Sequence, residues 1–235
     1  MIKLFIITQL LLNVFAPVAT NQSAALVLPV VESQLKNYQL EAISTKVLSL
    51  KNRNSNKQVN DVFADNIILN LHYIKGDVDN YLDSKLKGEE MVSWTELEKP
   101  FNFTLTLPPG QIFTFHDDVL PKYEKEDLSS VKTSFSYDQG YKQVDGLYGN
   151  GVCHLASLIN WTASTSGLAV EAPTNHNFAP VPAVPNEYGT AILYMGGYSS
   201  QLQNLYIKNT YDYPVHLLFD VNKDRVVLTV LRDLT

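Results

Sequence analysis

One cysteine in 235 residues rules out an internal disulfide, so any stable core here comes from apolar packing alone. Clusters of positive charge are equally scarce. With 18 Lys and Arg against 24 Asp and Glu, the formal net charge is −6, and no basic stripe is present to follow a phosphate backbone. Nucleic acid is therefore not an expected partner. The densest cationic piece, Lys51-Asn52-Arg53-Asn54-Ser55-Asn56-Lys57, is diluted by asparagine and serine and reads as a solvated loop. Residues 77–100 are acidic but lack the Asp/Asn spacing and central glycine of a calcium loop, so they read as a surface insertion, with Trp94 as its anchor. Neither a metal nor a cofactor is expected.

Long apolar runs are also missing. The longest, LFIITQLLLNVFAPVA behind Lys3, is shorter and less continuous than a typical membrane span and leads into small and polar residues. Residues 1–25 thus read as a signal peptide, cut after Ala16 or near Ala24-Ala25, or else as an uncleaved N-terminal anchor. Either way the chain is expected outside the cytoplasmic membrane, secreted or tethered, and touching the membrane only through this segment. Residues 26–46 read as an exposed lead-in. The remainder, residues 47–235, is about the size at which a chain buries one sizeable core, so a single domain is expected.

Periodicity outlines that domain. Val47 to Leu50 suggests a short strand. In residues 61–75, Phe63, Ala64, Ile67, Leu71 and Ile74 recur at helical spacing, with Gly76 as the stop and His72 beside the stripe as a satisfied core or surface histidine. Phe101, Phe103, Leu105 and Leu107 alternate with polar residues, and Pro108-Pro109-Gly110 then turns the chain toward Ile112, a hairpin-like pair. His116-Asp117-Asp118 follows, but neighbours on a strand face opposite ways and do not converge on a metal. Residues 191–195, 204–208, 215–221 and 226–231 read as strands, the last two joined at Asn222-Lys223-Asp224. The expected fold is α+β: a predominantly antiparallel sheet with two main helices, residues 61–75 and 153–166, packed against it.

The lone Cys153 heads the second of these helices. Gly149 and Gly151 make a tight turn before it, Leu155, Leu158, Ile159 and Thr162 share one face, and Gly167 ends it. A thiol in the first turn of a helix meets unpaired N–H groups and the positive end of the dipole, which lowers its pKa and favours a nucleophile. A free cysteine is also a common core residue, and the local sequence leaves both readings open.

The segments GLYGNGVCHLAS, NHNFAPVPAVPNEYGTAI and NLYIKNTYDYPVHLLF, with LPPGQIFTF upstream, resemble the VanW family in order and spacing from about residue 47 onward. This chain departs from the family pattern at four positions. Asn150 interrupts the glycine run and His154 replaces a glutamine. Asn177 follows His176 where the family has serine, and Gly189 stands where an aspartate is usual. The resemblance implies a bacterial cell-envelope protein, of the kind found as an accessory in glycopeptide-resistance clusters and beside peptidoglycan-linked domains.

Two functions follow as expectations. In one the chain is a peptidoglycan- or partner-associated module, and Cys153 and His176 are buried structural residues. In the other it is a cysteine-dependent amidase, peptidase or transferase on cell-wall peptide. There Cys153 is the nucleophile, His176 its base and Asn177 the residue that orients the imidazole. Gly149, Gly151, His154 and Tyr188 are the candidate binding residues around that centre. His154 is expected at the rim, because consecutive helical side chains diverge by about a hundred degrees. Tyr198, Tyr206, Tyr211 and Tyr213 read as sheet packing more readily than as a sugar-stacking face.

Overall fold

A computed structural model describes residues 40–78, 93–144 and 146–233. The leader and most of the acidic insertion lie outside the described residues. The first half of the described chain runs β1 (Leu40–Ser49), α1 (Lys57–Lys75), α2 (Trp94–Leu97), β2 (Phe101–Leu107), β3 (Ile112–Thr114), β4 (Leu128–Ser130), β5 (Gln143–Val144) and β6 (Leu147–Tyr148). It continues through α3 (Val152–Thr165), β7 (Ala169–Glu171), α4 (Tyr198–Leu202), β8 (Tyr206–Lys208), β9 (Val215–Asn222) and β10 (Arg225–Asp233). The fold is α+β with mostly antiparallel strand pairing, as the periodicity suggests.

Alternation builds the larger sheet, of order β1-β10-β9-β2. On β2 the aromatic and leucine positions turn inward while Asn102, Thr104 and Thr106 face water. β9 and β10 form a hairpin in which Asn222 pairs with Arg225, and the Asn222 side chain accepts the Asp224 and Arg225 N–H groups. β1 begins at Leu40, upstream of the expected Val47, and its buried Ser44 bonds Thr165 of α3.

The smaller sheet has the order β4-β3-β8-β7, with β3 and β4 parallel. The hairpin expected between β2 and β3 is not formed. Pro108 and Pro109 have no N–H to give a ladder, and Gly110, at φ 81, donates its own N–H to Asn209. The turn therefore passes the chain from one sheet to the other.

α1 starts at Lys57 because the Asn56 side chain accepts the Gln58 and Val59 N–H groups, and it ends at Gly76 in the left-handed conformation. It packs against β2 and α3, with Ile67, Leu69 and Leu71 fully buried. His72 is a satisfied core histidine, bonded to Asp77 and the Leu97 carbonyl. Trp94 is half-buried beneath the Lys142 ammonium. α3 lies between the sheets, touching α1, β10 and β7, and Leu155, Leu158, Ile159 and Thr162 are all buried. Among the described residues no helix is long and apolar enough to cross a membrane.

Candidate functional site

The turn before α3 depends on two left-handed glycines, Gly149 at φ 73 and Gly151 at φ 105. Asn150 falls between them and needs no left-handed backbone. Its carbonyl accepts from Asn66 on α1, which also clasps both main-chain groups of Lys142. The asparagine therefore does not disturb the turn. Gly151 is required for a second reason: a Cβ there would stand 2.5 Å from the Phe63 carbonyl oxygen. α1 and the start of α3 approach each other too closely for any side chain.

Cys153 is the second residue of α3. Its Sγ accepts the Ile192 N–H at 3.3 Å and faces the Ile192 carbonyl at 3.6 Å. One turn further on, Ser157 Oγ accepts the Thr190 N–H at 2.9 Å, and Asn160 then donates to the Tyr188 carbonyl and to Thr190 Oγ1. Three polar side chains at i, i+4 and i+7 thus act as a strand edge for residues 188–192. This is why the strand expected at 191–195 is absent: its main chain bonds helix side chains, Thr174 and Gln203 instead of a ladder. Burial pushes the Cys153 thiol up to about 11, opposite to the lowering a helix N-terminus alone gives.

His154 diverges from Cys153 but is not at a rim. It is only 6 % exposed, held edge-on to Phe63 at 5.2 Å and to His176 at 6.2 Å between ring centroids. α1 closes over it, which a periodicity reading of α3 alone does not reveal. Burial, then the neighbouring Arg53 charge and His176, push its pKa down to about 3.

Arg53 overturns the solvated-loop reading of its segment. It is 3 % exposed while its sequence neighbours are open to solvent. The cause is Asn60 in the first turns of α1, whose side chain accepts the Arg53 N–H at 2.6 Å and donates to the Leu50 carbonyl. Pinned in this way, the loop folds its arginine inward, where Nη1 donates to the Pro182 carbonyl at 3.2 Å. Burial lowers the guanidinium to about 10, which leaves it cationic at neutral pH.

His176 is 9 % exposed and its Nδ1 lies 2.6 Å from the Ala179 carbonyl. A carbonyl only accepts, so Nδ1 carries the proton. Its ring packs on Phe178, which is 74 % exposed. Asn177 is exposed, and no described hydrogen bond joins it to the imidazole. None joins Cys153 Sγ to His176 either; the thiol's partners are the main-chain groups of Ile192. The fold brings His154, His176 and Arg53 together and leaves Cys153 on the other flank of the helix. Tyr188 stacks on Trp161 at 6.3 Å, and a Cβ on Gly189 would meet that of His176 at 3.5 Å.

Elsewhere, His116 is buried and its Nε2 donates to the Gln203 carbonyl, while Asp117 points to solvent. Tyr206 is buried, Tyr211 and Tyr213 stack on each other, and Tyr198 alone of the four is largely exposed. Arg53 is the residue that sequence reasoning missed. Its only local signal is an arginine a few residues before a helix whose first turn carries a buried asparagine.

The family model described as VanW like protein matches residues 103–231, more than half of the chain. The chain belongs to the VanW family. The match covers the chain from β2 into β10, including Cys153, His154 and His176, and leaves β1, α1 and Arg53 outside it. No curated protein and no solved structure matches the chain. In this VanW-like protein, then, the matched segment supplies one side of the polar cluster and the segment before it supplies the guanidinium.

Proposed function

We propose that this chain is a non-catalytic VanW-like module of the cell envelope, exported by its N-terminal segment and associated with peptidoglycan or with an envelope protein. The observation that carries the reading is the bonding of Cys153. A nucleophile needs a thiolate at neutral pH and a base within reach, whereas desolvation raises the pKa of this half-buried thiol, its Sγ is engaged with Ile192, and no described bond joins it to His176. Its work is to fasten residues 188–192 to α3. Export is supported by the lysine followed by an apolar run and small residues at the start of the chain.

Two measurements test this. Purified protein should cosediment with peptidoglycan sacculi or with an envelope extract, and Cys153→Ser, which keeps a small hydrogen-bonding side chain, should cosediment equally well. Release of peptide or amino sugar from the sacculi, abolished by Cys153→Ser, would overturn the reading. A reporter active only outside the cytoplasm, fused at the C-terminus, should be active; silence there would contradict export.

A further inference from the structure

We propose that Arg53, His154 and His176 form an oxyanion-binding site beside the first turn of α3, closed in this conformation by the main-chain carbonyls of Ala179 and Pro182. The inference goes beyond the module reading and does not depend on the role of Cys153.

Four observations carry it. First, Arg53 is 3 % exposed, and its guanidinium has no carboxylate within ion-pair distance among the described residues, where its one acceptor is a peptide carbonyl. Buried charges in proteins are ordinarily paired, because removing an ion from water without a counter-charge is among the costliest arrangements a fold can hold. Second, donor capacity is left over at the same place. Arg53 Nε–H is buried without a partner; His154 Nδ1 is buried without one too, and donates in the tautomer that carries its proton there. Unpaired groups of this kind mark a place where a ligand's acceptor completes the bonding.

Third, the two donors already in use both end on one segment. His176 Nδ1 goes to Ala179 and Arg53 Nη1 to Pro182, and that segment is held from behind by buried Val181 and Val184 while Asn177, Phe178, Ala179 and Pro180 face solvent. Movement of 177–180 would free His176 Nδ1, and a shift of Pro182, itself exposed between buried Val181 and Val184, would free Arg53 Nη1. The carbonyls then stand where a ligand's oxygens would accept. Fourth, the donor set suits one chemistry. A guanidinium fork matches the paired oxygens of a carboxylate or phosphate, imidazole N–H groups add directional donors, and the start of a helix 14 residues long favours negative charge.

The test is a titration of the folded, full-length chain, following the Arg53 Nε–H signal by proton–nitrogen NMR. Sodium acetate and inorganic phosphate are the two probes, with chloride at matched ionic strength as the control. The expected result is a saturable shift with acetate, phosphate or both, and none with chloride. The anion with the lower Kd identifies the ligand as carboxylate or phosphate in kind. Arg53→Lys, which keeps the charge but loses the fork, should weaken that Kd by about tenfold or more. A flat titration with both anions, or a saturable response left unchanged by Arg53→Lys, would overturn the proposal. If Arg53→Lys does not fold, the wild-type titration decides, because the reporting atom belongs to the site itself.

Discussion

Cys153 and His154 are adjacent, yet they face surroundings of opposite character. On the Cys153 flank, helix side chains and main chain answer one another: Sγ meets Ile192, Ser157 meets Thr190, and Asn160 meets Tyr188 and Thr190. On the His154 flank, a cationic guanidinium and two imidazoles lie together with no acid among the described residues bonded to them, and two buried nitrogens have no described partner. The first flank is finished as a piece of structure, whereas the second has bonding capacity left over. The difference teaches where function is to be sought. The cysteine draws the eye in the sequence, but its Sγ is engaged with the main chain of Ile192, and the unpartnered nitrogens belong to Arg53 and His154.

The largest effect is expected where both flanks are hinged. Gly151→Ala forces a side chain into φ 105 and against the Phe63 carbonyl at 2.5 Å. It should cost about 3–5 kcal/mol in urea unfolding, from left-handed strain together with overpacking. A loss below about 1 kcal/mol would mean that α1 and α3 separate easily, and the contrast between the flanks would then lose its structural basis.

Of the two flanks, that of His154 should be the one sensitive to mild acid. Its imidazole is held near 3 when folded, against about 6.5 when unfolded. As pH falls below about 6.5 the unfolded chain takes up the proton first, so stability is complete above that value and is lost as pH drops toward 3. The slope is about 1.4 kcal/mol per pH unit, or about 2 kcal/mol by pH 5. His116, also lowered by burial, acts in the same direction. Asp77 and Glu171 are held below ordinary carboxylate values and so make their contribution at lower pH. Unfolding measured from pH 7 to pH 5 should show the slope, and His154→Gln should reduce it to the part that His116 contributes. A His154→Gln profile that overlies the wild type would mean the imidazole is not buried neutral.

The opposite flank should respond to loss of an acceptor. Ser157→Ala leaves the Thr190 N–H buried without its partner and should cost about 1–2 kcal/mol, with faster amide exchange confined to residues 188–192. Protection unchanged at Thr190 and Ile192 would show that this segment does not rely on the helix.

Sequence made β2, β9, β10 and both main helices legible because their signals are local, whereas most of β1, residues 40–46, read as lead-in. Alternation marks β2, an asparagine-capped turn joins β9 to β10, and Gly76 and Gly167 end the helices. The smaller sheet was not legible. Its strands are three residues long, too short to carry a period, and the parallel pairing of β3 with β4 leaves no trace in either segment. The candidate site divides in the same way. Glycines ahead of a helix-heading cysteine can be read from spacing, whereas Cys153's partner is a main-chain group 39 positions away, which no side-chain pattern encodes. Arg53 looked solvated because composition registers its polar neighbours and not the two bonds by which Asn60 turns it inward.

The reading of Cys153 as a structural thiol is tested most directly by its ionisation in the folded protein, taken from alkylation rate against pH. The thiol is pushed up to about 11, so the rate should stay low through neutral pH and rise with a midpoint well above the ordinary thiol value of about 8.5, unmoved by His176→Ala. A midpoint below 8.5 that His176→Ala shifts upward would show a thiolate–imidazole pair, and Cys153 of this VanW-family protein would then be a nucleophile and not a structural thiol.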